Sequence, residues 1–144
     1  MRRCAWVLGL VLVGCGTPPP VDAELSCADA GTATLAAGAQ TVLTAKCVSC
    51  HITDYTYGDY TSAAKSALMV NQKSAYAGTP GSLKIVDPGH LENSSLWLKV
   101  LGGAQRGRTG PKNENVQGAM PNDGTALTPN EKQTLKAWIC SGAQ

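Results

Sequence analysis

The sequence has no phenylalanine, few other aromatic residues and few charges. Aromatic side chains make up 5% of the 144 residues and charged side chains 15%, where roughly a quarter is usual for charged residues. Glycine and alanine are plentiful instead, so the chain has few large apolar side chains with which to fill an interior. We therefore expect a bound apolar group to fill part of it.

The sequence also lacks a strong excess of charge of either sign. Its formal net charge is +2, and both surplus cations, Arg2 and Arg3, lie in a leader that we expect to be removed. Ten basic and ten acidic residues then remain. Because a nucleic-acid-binding protein would show a basic patch or stripe, we predict no nucleic-acid partner.

The chain contains no apolar run long enough to cross a bilayer, which takes roughly 20 residues. Residues 1–14 are instead typical of an export signal, with a basic start and a short apolar stretch, Cys4 to Val13. The sequence Leu12-Val13-Gly14-Cys15 then resembles a bacterial lipobox, in which cleavage precedes the cysteine and the cysteine is acylated. We predict a lipid anchor at Cys15, the only membrane attachment, on the periplasmic side of the cell envelope. The alternative is an ordinary secretory signal with an incidental cysteine.

The rest of the chain divides into a tether and one domain. Residues 15–33 are the predicted flexible tether. Its start, Thr17-Pro18-Pro19-Pro20, indicates a stiff, extended segment, and Val21 to Ala33 is small and polar with no clear periodicity. We predict that the domain spans residues 34–144. Apolar residues at helical spacing predict helices over Leu35–Lys46 and Ala63–Val70. A third helix begins at Asn93 or Ser94 and ends at Gly102-Gly103.

The last helix has the strongest local signals. Thr128 is a natural N-cap, Pro129 stands at the first helical position, and Glu131 completes a capping box. No segment alternates as a strand would, and residues 53–62 and 105–117 are predicted loops. The fold class predicted from these patterns is all-α with long loops. The apolar face of the last helix comprises Leu127, Leu135, Trp138 and Ile139.

The residues that carry chemistry are Cys47-Val48-Ser49-Cys50-His51, a C-x-x-C-H sequence typical of covalent haem c attachment. On one helical turn, two cysteines three residues apart present both sulfurs on one face, where each can form a thioether with a haem vinyl group. The adjacent His51 can then bind the iron as the proximal ligand. The motif predicts one covalent haem c on Cys47, Cys50 and His51.

Three other interpretations of the motif remain open. A thioredoxin-like redox pair is one, although it normally accompanies a βαβ pattern that the sequence lacks. Half of a zinc site is another, with only Cys27, Cys140 and His90 left to complete it. The third is a plain structural disulfide.

The second axial ligand has three candidates, Met69, Met120 and His90. Met69 lies on a predicted helix and is more simply a core residue, and His90 follows a Pro-Gly turn that is typical of a surface. Met120 precedes a proline in an extended loop, where a thioether can face the iron from the opposite side. The pattern favours Met120.

From Cys47 to Ala143 the chain resembles the small, single-haem, class I-like cytochrome c domains of bacterial periplasmic proteins. The resemblance depends on the C-x-x-C-H, the segment from Val86 to Trp97, the Met120-Pro121 pair and the last helix. It implies a cytochrome c-like fold in which the first and last helices pack together beside the haem. It also implies that Met120 is the second iron ligand, and that Leu135 and Trp138 pack against the porphyrin.

The chain departs from these domains directly after the motif. Many relatives have a glycine-rich stretch and a proline that supports the proximal histidine, and residues 52–60 lack both, which leaves the partner of His51 open. If the first and last helices pack together, Cys27 and Cys140 come close. In an oxidising compartment we then expect a Cys27–Cys140 disulfide, the alternative being a free Cys27 in the tether.

The function predicted from the sequence is electron transfer, with redox proteins as donors and acceptors and no enzymatic activity. Two alternatives belong to other classes. One is a haem-based ligand sensor or peroxidase-like enzyme with an open sixth coordination position, for which His90 would be the distal imidazole. The other is a haem-free lipoprotein whose cysteines form structural disulfides.

Overall fold

The computed structural model describes residues 21–52, 58–74, 83–102, 120, 121, 123 and 125–144. Within these residues the protein is rich in helix, and extended pairing consists of single bridges, such as those of Lys84 with Lys73 and with Ser94. The predicted helix-rich class is confirmed. The α-helices are α1, Gln40–Lys46; α2, Ala63–Leu68; α3, Ser95–Val100; and α4, Pro129–Cys140, with a π-helical turn Leu35–Ala39 before α1 and 3-10 turns at Val21–Leu25 and Leu91–Asn93.

The first helical segment and α4 pack against each other and form the centre of the core. The π-helical turn runs directly into α1, so the predicted helix over Leu35–Lys46 is helical throughout. A Cβ built on Gly38 would lie 3.0 Å from Cγ2 of Thr134 on α4, so the absence of a side chain at Gly38 permits the close approach of the two helices. The main core residues are Leu35, Ala39, Val42, Leu43, Leu91, Trp97, Leu127, Leu135, Trp138 and Ile139.

Helix α4 begins and packs as its sequence predicts. The Thr128 hydroxyl accepts a hydrogen bond from the backbone N–H of Glu131 at 3.3 Å, and the Glu131 carboxylate accepts one from the backbone N–H of Thr128 at 2.7 Å. Pro129 occupies the first turn. This reciprocal capping satisfies two N–H groups that a helix start leaves without intrahelical partners. The predicted capping box and the predicted apolar face of α4 are both confirmed.

Helix α3 is buried on every side, including its polar residues Ser95 and Lys99. Of the two predicted N-caps, the structure selects Ser94. The Ser94 hydroxyl does not bind the helix itself. It donates to the carbonyl oxygens of His90 and Asp87, at 2.8 and 3.2 Å, and accepts from the Asp87 N–H. Ser94 therefore ties the preceding turn to the start of α3.

The described part of the predicted tether, residues 21–33, packs on the helical domain. The Trp97 indole N–H donates to the Glu24 carbonyl at 2.9 Å, and the Gln133 side chain donates to the Ala30 carbonyl at 2.8 Å. The predicted disulfide between Cys27 and Cys140 is confirmed, with 5.5 Å between the Cα atoms. The two hydrogen bonds join segments that are far apart in sequence, so no local pattern could reveal them.

Several predictions concern residues outside the described part of the chain. These are the export signal, the lipid anchor at Cys15, the proline-rich start of the tether, and the loop at 105–117. None of the helices among the described residues is both long and apolar enough to cross a membrane.

Candidate functional site

The C-x-x-C-H residues continue the last turn of α1. Cys47 is the C-cap of α1, and its backbone N–H donates to the Leu43 carbonyl at 2.8 Å. The N–H groups of Cys50 and His51 both donate to the Cys47 carbonyl, at 3.3 and 3.0 Å. The five residues therefore form one tight turn, as the spacing predicts, and Cys47, Cys50 and His51 all line the same cavity.

The two cysteines of the motif occupy different environments. Neither is in a disulfide; Cys47 is buried, with 9% of its surface exposed, and Cys50 is exposed. Burial raises the pKa of the Cys47 thiol to about 11, and the neighbouring Cys50 adds to the increase. Catalytic redox cysteines need the opposite, a lowered thiol pKa that supplies thiolate near neutral pH. Cys47 does not have this property.

The zinc interpretation also loses support. Cys27 and Cys140, which would have to complete a zinc site, are bonded to each other. Within the part of the chain that the structure describes, no three His, Cys, Asp or Glu side chains cluster as ligands of a metal ion would.

The cavity beside the motif has a volume of about 720 Å³, including the space at its open mouth. Its walls are mainly apolar, with Leu96 and Val100 contributed by α3 and Ile85 by the segment before it. The described lining residues are Lys46, Cys47, Ser49, Cys50, His51, Tyr60, Ser74, Ile85, Ser95, Leu96, Lys99, Val100, Met120, Pro121 and Asp123.

The three candidates for the second axial ligand lie in different places. Met120 is half-buried and lines the cavity together with His51. Its backbone N–H donates to the carbonyl oxygen of Lys99 at 3.1 Å, which fixes the start of the Met120-Pro121 segment against the end of α3. Met69 is 1% exposed within the core, as predicted for a core residue. His90 is exposed, and its Nδ1 lies 3.2 Å from a carboxylate oxygen of Glu92.

Tyr60 contacts His51, which the sequence did not predict. The Tyr60 backbone N–H donates to the His51 carbonyl at 3.3 Å, and the two rings meet edge to face with centroids 5.7 Å apart. Tyr60 is buried, and burial raises its phenol pKa, with a further increase from Cys47. A buried tyrosine ring therefore lies beside the imidazole of His51.

The absence of a side chain at Gly58 leaves room for the Tyr60 ring, so its replacement should be costly. Gly58 has a φ of +107°, and a Cβ built there would lie 2.5 Å from the Tyr60 hydroxyl oxygen. Gly31, with a φ of +71°, has no atom within 4 Å of its built Cβ. We expect Gly58→Ala to lower the free energy of unfolding by about 3 kcal/mol, and Gly31→Ala by about 1 kcal/mol, since only the first adds a clash to backbone strain. Urea unfolding measures both. Equal losses of unfolding free energy in the two variants would mean that the clash with Tyr60 adds nothing to the cost of the substitution.

Other cavity residues had no signal in the sequence. Lys99, Ser74 and Ser95 line the cavity, although nothing in their local pattern distinguishes them from surface residues. Leu135 and Trp138, which the resemblance places against a porphyrin, are fully buried in the core. Neither is among the described residues that line the cavity.

The donor set of the cavity suits a c-type haem. Two thiols on one turn, an adjacent imidazole and a thioether all line a single apolar cavity. These are the groups needed for two thioether bonds and for His/Met ligation of iron. Comparison with known proteins adds no assignment, because the chain matches no protein-family model, no curated protein and no solved structure.

Proposed function

We propose that the protein is an exported electron carrier with one covalently attached c-type haem, anchored by lipid at Cys15 on the periplasmic side of the cell envelope. The observation that carries this proposal is the shared cavity of Cys47, Cys50, His51 and Met120. The packing of the first helical segment against α4 also supports a cytochrome c-like fold, as the resemblance implies.

The roles of the residues follow from their chemistry. Cys47 and Cys50 would hold the haem through two thioether bonds, each the addition product of a thiol and a vinyl group, from which nothing is released. His51 and Met120 would supply the nitrogen and sulfur donors for the iron. The haem would supply one-electron chemistry, and His/Met ligation raises its reduction potential and leaves no open position for an external ligand. The surrounding apolar walls, such as Leu96 and Val100, exclude water and set the potential further.

The alternative of a ligand sensor or peroxidase-like enzyme has no observation in its favour. It needs a vacant iron position beside a polar acid–base group. His90, the imidazole that the sequence offers for that role, is exposed and lies beside Glu92. Redox proteins that dock near the open mouth of the cavity remain the proposed partners.

An optical spectrum of the protein, produced in a host that matures c-type cytochromes, tests the proposal. We expect sharp bands after dithionite reduction, no change with carbon monoxide, and haem that stays bound after denaturation. A protein without colour would contradict the proposal. Covalent haem that binds carbon monoxide readily would contradict carrier function and favour ligand sensing.

Replacing Met120 tests the second axial ligand. We expect Met120→Leu to lose the sulfur-to-iron charge-transfer band, to bind carbon monoxide stoichiometrically and to have a lower reduction potential, because leucine has no donor atom. Met69→Leu is the matched control, since it exchanges a buried methionine for a residue of similar volume. Its spectrum should match that of the wild type. A Met120→Leu protein with the wild-type band would exclude Met120 as the ligand.

A further inference from the structure

The N-terminal segment of residues 21–33 is held on the domain at both of its ends. Near its start, the Lys136 ammonium donates to the Ala23 carbonyl at 3.3 Å. At its end, the Ser141 hydroxyl donates to the Ala33 carbonyl at 2.6 Å. Between these two contacts, a disulfide joins the segment covalently to the end of α4. We call residues 21–33 the strap.

The strap shortens the chain between the predicted lipid anchor and the domain. Cys15 is six positions before Val21, where the strap begins, so this link spans at most about 20 Å. With residues 21–33 as a free tether, the link would extend over the 19 positions from Cys15 to Thr34, which span at most about 65 Å. The short link is less than the diameter of a small domain, about 30 Å. It therefore keeps the side of the domain that carries Val21 next to the bilayer.

The strap and the cavity lie on opposite sides of α3. The Trp97 indole N–H donates to a strap carbonyl at 2.9 Å, and Leu25 of the strap packs against the cluster that contains Leu98. The residues of α3 that line the cavity are Ser95, Leu96, Lys99 and Val100. With 3.6 residues per turn, the two sets are centred about 180° apart around the helix axis. Val21 and Leu25 belong to one 3-10 turn, so the strap begins on the side of α3 opposite the cavity.

Resting on the lipid anchor of the proposed function, we propose that the strap orients the domain on the membrane. The bilayer lies on the strap side of α3, and the cavity lies on the opposite, aqueous side. The redox partner that fits this orientation is a water-exposed protein domain, which reaches the open mouth of the cavity from the aqueous side. A lipid-soluble electron carrier within the bilayer does not fit, because the strap and α3 lie between it and the cavity.

The test uses the lipidated holoprotein on phosphatidylcholine vesicles, with a nitroxide spin label on Ala23→Cys or on Asp123→Cys. Both positions are exposed; Ala23 lies in the strap and Asp123 lines the cavity. Lipid headgroups that carry a gadolinium chelate speed the relaxation of a nearby nitroxide, and the effect falls steeply with distance. Comparison with vesicles that lack gadolinium removes the contribution of the haem iron. We expect a several-fold larger enhancement at Ala23 than at Asp123.

Two insertions test whether the strap itself sets this orientation. An insert of about 20 Gly-Ser residues between Pro20 and Val21 lengthens the link to the anchor, and it should remove the difference between the two labels. The same insert between Gly31 and Thr32, which are both exposed, leaves the disulfide and the first turn of the strap in place. It is the matched control and should keep the wild-type difference.

Two results would overturn the proposed orientation. One is an enhancement at Asp123 that equals or exceeds that at Ala23 when neither insert is present. The other is loss of the difference with the insert after Gly31, which would show that the strap does not hold the anchor side of the domain. Failure of the proposed anchor is distinct, because a protein without acyl chains would show no enhancement at either position.

Discussion

A Cys47→Ala/Cys50→Ala variant will contain no haem that survives denaturation, whereas the wild-type protein will contain one haem per chain. The reason is that the two proposed thioether links would both be made by these sulfurs, which line one cavity on a single turn after α1. Mass spectrometry of the denatured protein measures the change directly. Each single variant keeps one sulfur and should retain one thioether at reduced yield.

The control for this prediction is Cys27→Ser/Cys140→Ser, which removes two cysteines outside the cavity. It should keep its covalent haem. Covalent haem in the Cys47→Ala/Cys50→Ala variant would place the attachment elsewhere and contradict the proposed role of the motif. Loss of haem from both double variants would instead show that haem attachment depends on overall stability.

Removal of the Cys27–Cys140 disulfide should lower the free energy of unfolding by about 4 kcal/mol. The bond joins residues that are 113 positions apart, and in the chain-entropy model a loop of that length restricts the unfolded chain strongly. The native fold should persist, because Trp97 and Gln133 still bind the N-terminal segment by hydrogen bonds. Urea unfolding of Cys27→Ser/Cys140→Ser measures the loss.

Reduction of the wild-type disulfide provides the matched control, because it opens the same loop without changing a residue. Both treatments should give the same midpoint within error. A loss below about 1 kcal/mol, far under the 2–5 kcal/mol typical of native disulfides, would contradict the prediction. The contacts of residues 21–33 would then restrain the segment without the bond.

The tether prediction shows how a composition-based inference can miss packing. Residues 21–33 are small and polar, and the sequence therefore indicated a flexible segment. In the structure their backbone carbonyls accept hydrogen bonds from side chains of α3 and α4, including those of Trp97 and Gln133. Backbone carbonyls are present in every residue, so such acceptors leave no trace in composition.

Tyr60 and Lys99 are two residues of the candidate site whose burial the sequence did not predict either. Tyr60 lies in a segment predicted as loop, and its importance comes from its burial and its contact with the His51 ring. Lys99 lies between apolar residues of α3, where a lysine ordinarily extends to solvent. Burial depends on which other segments cover a residue, and one sequence does not specify that covering.

The sequence by itself determined those features whose causes lie within a few residues of each other. The capping box of Thr128 and Glu131 and the turn at Cys47–His51 depend on hydrogen bonds between near neighbours. The tertiary structure alone decided the rest, namely that Tyr60 and Lys99 line one cavity with the motif and that residues 21–33 pack on α3 and α4. The physical reason is that these arrangements come from packing between distant segments, whose free energy depends on the shape and burial of the whole core.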